Sequence, residues 1–168
     1  MPDWTPFDVL SSGERPPPPR PITVPEGVGD RLRSAAFAEL QALTAFRWAV
    51  SRWPDSPQRL KDAWLRLAEE EDKHLGWLLS RMNELGFGVR DRPVSTHLWD
   101  SFEECVSARQ FTERMAGAEK RGQSAGERFA SRLAAVDPTT AAIFEQVAKE
   151  EAGHIALAER FLPLLSLD

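Results

Sequence analysis

The chain has 168 residues, 42% hydrophobic and 28% charged, the length and balance of one globular domain. A single cysteine, Cys105, excludes a disulfide framework, a four-cysteine zinc site and a rubredoxin-type iron site. The lack of tyrosine excludes any mechanism that stores a tyrosyl radical, and a net charge of −5 gives no strong electrostatic case for nucleic acid. No basic start leads into an apolar run, and no stretch nears the roughly 18 apolar residues of a membrane span. Neither a signal peptide nor a membrane segment is therefore expected, and the expected location is the cytoplasm.

Residues 1–25 hold eight of the thirteen prolines, including the run Pro16 to Pro19, which favours polyproline II and forbids helix. They read as an extended arm, either pinned through Trp4 and Phe7 or disordered. Residues 26–168 read as an all-α four-helix bundle. The first helix is expected from Gly29 to Trp53, with Leu32, Ala36, Leu43, Phe46 and Val50 at helical period. The second opens at Ser56-Pro57 and ends at Gly86, with Leu60, Trp64, Leu67, Leu75, Leu78 and Met82 on its buried face. The third is expected from Ser101 to Leu133, opened by a capping box of Asp100 and Glu103. The fourth opens at Asp137-Pro138 and buries Phe144, Val147, Ile155, Ala158 and Phe161. Short links inside each pair force two antiparallel hairpins. The longer stretch from Phe87 to Asp100 can run the length of the bundle, which predicts two hairpins joined by one crossover.

Each apolar stripe contains one glutamate: Glu39, Glu71, Glu119 and Glu151. A carboxylate in a buried stripe is costly unless something compensates it. Two of the three histidines follow such a glutamate by three residues, as Glu71-Asp-Lys-His74 and Glu151-Ala-Gly-His154. Residues at i and i+3 share a helix face, so each pair can reach one centre. The midpoint of Glu39 and Glu71 is residue 55, and that of Glu119 and Glu151 is residue 135. Both fall in the predicted turns, which puts all four glutamates in one layer. Adding 80 to Glu39, Glu70, Glu71 and His74 gives Glu119, Glu150, Glu151 and His154, an internal repeat of the ligands. Four carboxylates and two imidazoles balance two divalent metal ions, and mixed oxygen and nitrogen donors suit iron, with manganese allowed. Glu69, Glu70 and Asp72 lie off the stripe and are expected to be solvated, with Glu70 and Glu150 as candidates to support the ligands. His97 reads as a loop or capping histidine, Cys105 as a small core residue, and Trp48, Trp64 and Trp77 as core.

This pattern resembles the ferritin-like di-iron carboxylate superfamily over about residues 30–165. Within it the chain is most similar to an uncharacterised bacterial ferritin-like family. The shared features are the prolines from Pro16 to Pro21, His97-Leu98-Trp99 in the crossover and Glu119-Lys120-Arg121-Gly122 on the third long helix. A more distant likeness is to the ferritin-like hydroxylase of modified tRNA. The resemblance implies that Glu39 and His74 bind one metal, Glu119 and His154 the other, and that Glu71 and Glu151 bridge. Ferritins usually add a fifth helix, which is not expected after Asp168. Rubrerythrin peroxidases differ by a rubredoxin domain and by a second glutamate where Gly122 stands.

Three functions follow as expectations. The first is an O2-activating oxidase or oxygenase acting on a small organic substrate, for which Ala35, Ala36, Ala42, Ala116 and Gly122 would leave room. The second is iron binding or handling without a substrate. The third is an RNA-modifying hydroxylase, supported only by seven basic against three acidic side chains in residues 31–66. The electron donor is left open, and a homodimer is allowed.

Overall fold

The structure, a computed structural model, describes residues 2–165. Residue 1 of the predicted arm and residues 166–168 of the predicted bundle lie outside the described residues, as does any element after Asp168. The described residues form five α-helices and one 3-10 turn: α1 (Pro25–Arg52), α2 (Gln58–Glu84), α3 (His97–Glu103), α4 (Ala108–Leu133), α5 (Pro138–Phe161) and the turn Leu162–Leu164. Among the described residues, no helix is long and apolar enough to cross a membrane.

Helix α1 begins a turn before the expected Gly29, because Pro25 occupies the first turn, where its missing N–H costs nothing. Pro57 takes the N-cap position of α2, and Ser56 makes no cap. Helix α2 closes at Leu85, after which Gly86 adopts φ +77°, a conformation that disfavours any Cβ. There the Phe87 N–H donates to the Met82 carbonyl and the Gly86 N–H to the Asn83 carbonyl, which satisfies the last turn. Helix α5 starts as expected: the Asp137 side chain accepts from the Thr140 N–H and holds Arg81 of α2 at 2.9 Å.

The third predicted helix is corrected. It divides into α3 and α4, and the α4 cap is Ser107, whose side chain accepts from the Gln110 N–H. Asp100 lies inside α3, where it accepts from Thr96. The physical reason is Phe102 and Phe111. Both are fully buried, with ring centroids 5.5 Å apart. In one continuous helix, residues nine apart would face opposite sides, about 13 Å apart along the axis. Breaking the helix lets both rings enter one core.

Helices α1 and α2 pack as one hairpin and α4 and α5 as the other, and the two hairpins meet along α2 with α5 and, sparsely, α1 with α4. Contacts between α2 and α5 pair residue 74 with 150 and 70 with 154. Both sums equal 224, as antiparallel neighbours require. Helix α4 therefore starts at the far end from where α2 stops, and the Leu85–Ser107 connection spans the bundle, carrying α3 against α1.

The arm is pinned. Trp4 and Phe7 are buried against Phe37, with ring centroids 5.5 and 5.0 Å away, and Trp4 also meets Trp99. Burying two such rings contributes about 3–6 kcal/mol. Val9 pairs with Val94 of the crossover in an isolated parallel bridge. Arg20 closes the arm on buried Asp30 at 2.7 Å, where Arg33 and Arg92 converge.

Candidate metal centre

Glu39, Glu71, His74, Glu119, Glu151 and His154 are all buried, Glu71 at 1% exposure and His74 at 0%. Two groups of three have ligand atoms within 4.8 Å of one another: Glu39, Glu71 and His74, and Glu71, Glu119 and His154. Glu71 belongs to both. His74 Nδ1 lies 3.6 Å from Glu71 Oε2 and 3.9 Å from Glu39 Oε2. His154 Nδ1 lies 2.9 Å from Glu71 Oε1 and 3.5 Å from Glu119 Oε2. The imidazoles stack at 5.9 Å between centroids. Glu151 falls in neither group. Its Oε1 sits against Gly122, where an added Cβ would stand 3.0 Å away, so glycine is what admits the carboxylate.

The outer ring nitrogens are held crosswise. His74 Nε2 meets Glu150 at 2.8 Å and His154 Nε2 meets Glu70 at 2.8 Å. Each histidine donates away from the centre and turns Nδ1 toward it. A carboxylate behind a ligating imidazole fixes its orientation and raises its basicity. Glu70 and Glu150 are thus supports, not merely solvated side chains. The signal was the doubled Glu-Glu-x-x-His at the 80-residue repeat. Lys73 holds Glu150 from outside at 2.6 Å.

The centre is electrostatically frustrated when empty of cations. Glu71 Oε1, Glu151 Oε2 and both Nδ1 atoms are buried without a hydrogen-bond partner; the 2.9 Å approach of His154 to Glu71 is out of line for one. Burial and the Glu71 charge push the Glu39 carboxyl well above the usual range and Glu119 up to about 7. Burial, with Glu119 and Glu71, pushes Glu151 up to about 8. Burial alone would raise Glu71 too, but Glu39 and the two histidines beside it hold it below the usual range. Burial opposes charge on the imidazoles, yet the glutamates outweigh it and raise His74 to about 10 and His154 to about 11. Orphaned oxygen and nitrogen donors sharing one buried carboxylate are what two first-row divalent cations would satisfy. The donor set fits them.

A cavity of about 300 Å³ opens on the opposite side from the histidines, between α1 and α4. All four glutamates line it, with Ala35, Ala42 and Gly122 as expected. Ala36 and Ala116 do not line it; Ala36 is core packing. His97 is exposed at the start of α3 and away from the cluster, and Cys105 is a buried free thiol. Trp64 is buried core, Trp48 packs beside Trp53 and Trp99, and half-buried Trp77 lies tilted against His74 at 5.4 Å between centroids.

These features define an all-helical protein with a buried carboxylate–histidine cluster. The chain belongs to the family described as "Protein of unknown function (DUF455)", which matches residues 9–166. Comparison with curated proteins finds no match.

Proposed function

We propose that the chain is a ferritin-like di-iron carboxylate protein, an oxidoreductase that uses O2 to oxidise a small organic substrate. The observation that carries this reading is the pair of buried triads sharing Glu71, each with an imidazole backed by a carboxylate. Glu39 and His74 would hold one metal, Glu119 and His154 the other, with Glu71 common to both and Glu151 as the fourth carboxylate. Two ferrous ions bound there would supply electrons for the reduction of O2. Manganese fits the same donors. Glu70 and Glu150 keep Nδ1 of each imidazole aimed inward. The packed α2–α5 face excludes water behind the histidines, and the cavity between α1 and α4 admits a substrate to the carboxylate side. Iron handling without a substrate uses the same donors but gives that apolar cavity no role.

The test is anaerobic loading with Fe(II), followed by an oxygen electrode and electron paramagnetic resonance. O2 should be consumed as ferrous iron disappears, and no tyrosyl radical signal should follow, since the chain has no tyrosine. Ferrous protein stable in air for hours would contradict the reading.

A further inference from the structure

We infer that the cavity between α1 and α4 binds an amphipathic carboxylic acid, its apolar body beside the glutamate layer and its anionic head at Arg31. This inference rests on the proposed function for the meaning of the site, but binding can be measured apart from it.

The lining is mostly apolar, and beyond the four glutamates Arg31 is its one ionisable side chain. Arg31 donates through Nη1 to the backbone carbonyls of Arg20 and Gly27. Its Nε is buried and without a partner, and Arg31 joins no ion pair among the described residues. The neighbouring arginines Arg20, Arg33 and Arg92 each have an acidic partner in Asp30, and Arg33 a second in Asp91, whereas Arg31 has none among the described residues. A guanidinium left unpaired beside an apolar cavity is the group that recognises a carboxylate. The aromatic face of Phe129 lies 5.7 Å from its carbon and supports it without neutralising it.

The geometry sets the shape of the ligand. Arg31 stands eight residues before Glu39 on α1, and Phe129 ten residues after Glu119 on antiparallel α4. The head position is therefore about 12–15 Å along the groove from the glutamate layer. An apolar cavity of about 150 Å³ holds benzene, so about twice that holds a body of about twelve carbons. Half-exposed Arg31 and exposed Ser34 and Pro19 mark the open end, so the charged head stays near water while the chain is buried. One cation matches one singly charged carboxylate better than a doubly charged phosphate.

Isothermal titration calorimetry on the full chain loaded with Mn(II), which avoids turnover, tests this with dodecanoate, dodecanol, dodecylamine and dodecyl phosphate. Dodecanoate should bind once per chain and at least tenfold tighter than the other three. Arg31→Gln should weaken dodecanoate at least tenfold and leave dodecanol unchanged. Ala38→Phe, and separately Ala125→Phe, should fill the cavity and abolish binding of dodecanoate, with melting curves confirming the fold. Equal affinity for acid and amine, tighter binding of the phosphate, or an unchanged Arg31→Gln would overturn the inference. So would a shift in sedimentation of Ala38→Phe from dimer to monomer without acid binding, which would assign the groove to a second copy of the chain. Elemental analysis of the same samples separates the two readings. Bound metal without acid binding overturns this inference alone, and acid binding by a chain that takes up no metal overturns the proposed function alone.

Discussion

The α1–α2 hairpin and the α4–α5 hairpin carry the same groups 80 residues apart, yet the second is not a copy of the first. Glu71 sits between both imidazoles, while its counterpart Glu151 leans on Gly122 and joins neither group of three. The supports differ as well. Glu150, behind His74, is 22% exposed and is gripped by Lys73 and Gln146; Glu70, behind His154, is 45% exposed and makes no other ion pair among the described residues. Repetition in sequence thus supplies two carboxylate–histidine groups, and packing makes them unequal.

Substituting the two counterparts tests that inequality most strongly. Glu71→Ala should remove a donor from both half-sites and reduce metal content from two ions per chain to near none. A ligand that binds only the folded state at a hundred times its Kd stabilises by about 2.7 kcal/mol, or roughly 5–10 °C for a domain of this size. Glu71→Ala should lose that metal-dependent gain, even if its metal-free form melts higher than the parent. Glu151→Ala should keep at least one ion. Equal metal loss in both variants, measured by elemental analysis, would show the half-sites to be equivalent.

The supporting glutamates should give the next largest effect. Removing such a partner weakens metal binding about 10–100-fold. Glu150→Gln should fall at the upper end, because it breaks a partly buried, lysine-held contact, and Glu70→Gln at the lower end. Competitive titration against a chromophoric chelator reads both values.

The metal-free protein should show the difference in its pH profile. Glu119, Glu151 and His154 of the second hairpin all hold protons more tightly when folded than when unfolded. Their contributions are complete at low pH and are lost as pH rises, for Glu151 between 4.5 and about 8. Glu39 and His74 of the first hairpin behave the same way, His74 up to about 10, so only Glu71 differs: lowered on folding, it contributes above pH 4.5 and is lost as pH falls. Denaturant melts should therefore find metal-free stability declining from pH 5 to 8, and Glu151→Gln should flatten that decline. Metal binding displaces these protons, so the loaded protein should gain stability over the same interval.

Gly122→Ala should be the mildest change. Alanine suits a helix interior better than glycine by about 0.5–1 kcal/mol, so the metal-free chain should melt slightly higher. Its Cβ displaces the Glu151 carboxylate by a few tenths of an ångström, which should weaken metal binding no more than a fewfold, read by the same chelator titration.

Much of this was legible before any coordinates. The six buried donors followed from stripe position, ExxH spacing and equal distance from the turns, because helical geometry converts spacing into height and face. The crosswise supports were only partly legible: Glu70 and Glu150 repeat together, but their contacts cross between α2 and α5, and spacing within one helix says nothing of register between helices. The break before Ser107 is not legible in the sequence, because Cys105-Val106-Ser107 contains no proline or glycine to mark it. Only the need to bury Phe102 and Phe111 together decides it. The arm was equally ambiguous, since two aromatic residues in a proline-rich segment do not reveal that Phe37 and Trp99 wait to receive them.

The central claim is that one buried carboxylate, Glu71, serves two metals. Crystals of the chain loaded anaerobically with Mn(II) or Fe(II), measured at the metal's absorption edge, test it directly. The account predicts two anomalous peaks per chain, both in contact with Glu71, one beside Glu39 and His74 and the other beside Glu119 and His154. A single peak, or metal bound instead at the surface carboxylates Glu69 and Glu70, would contradict it.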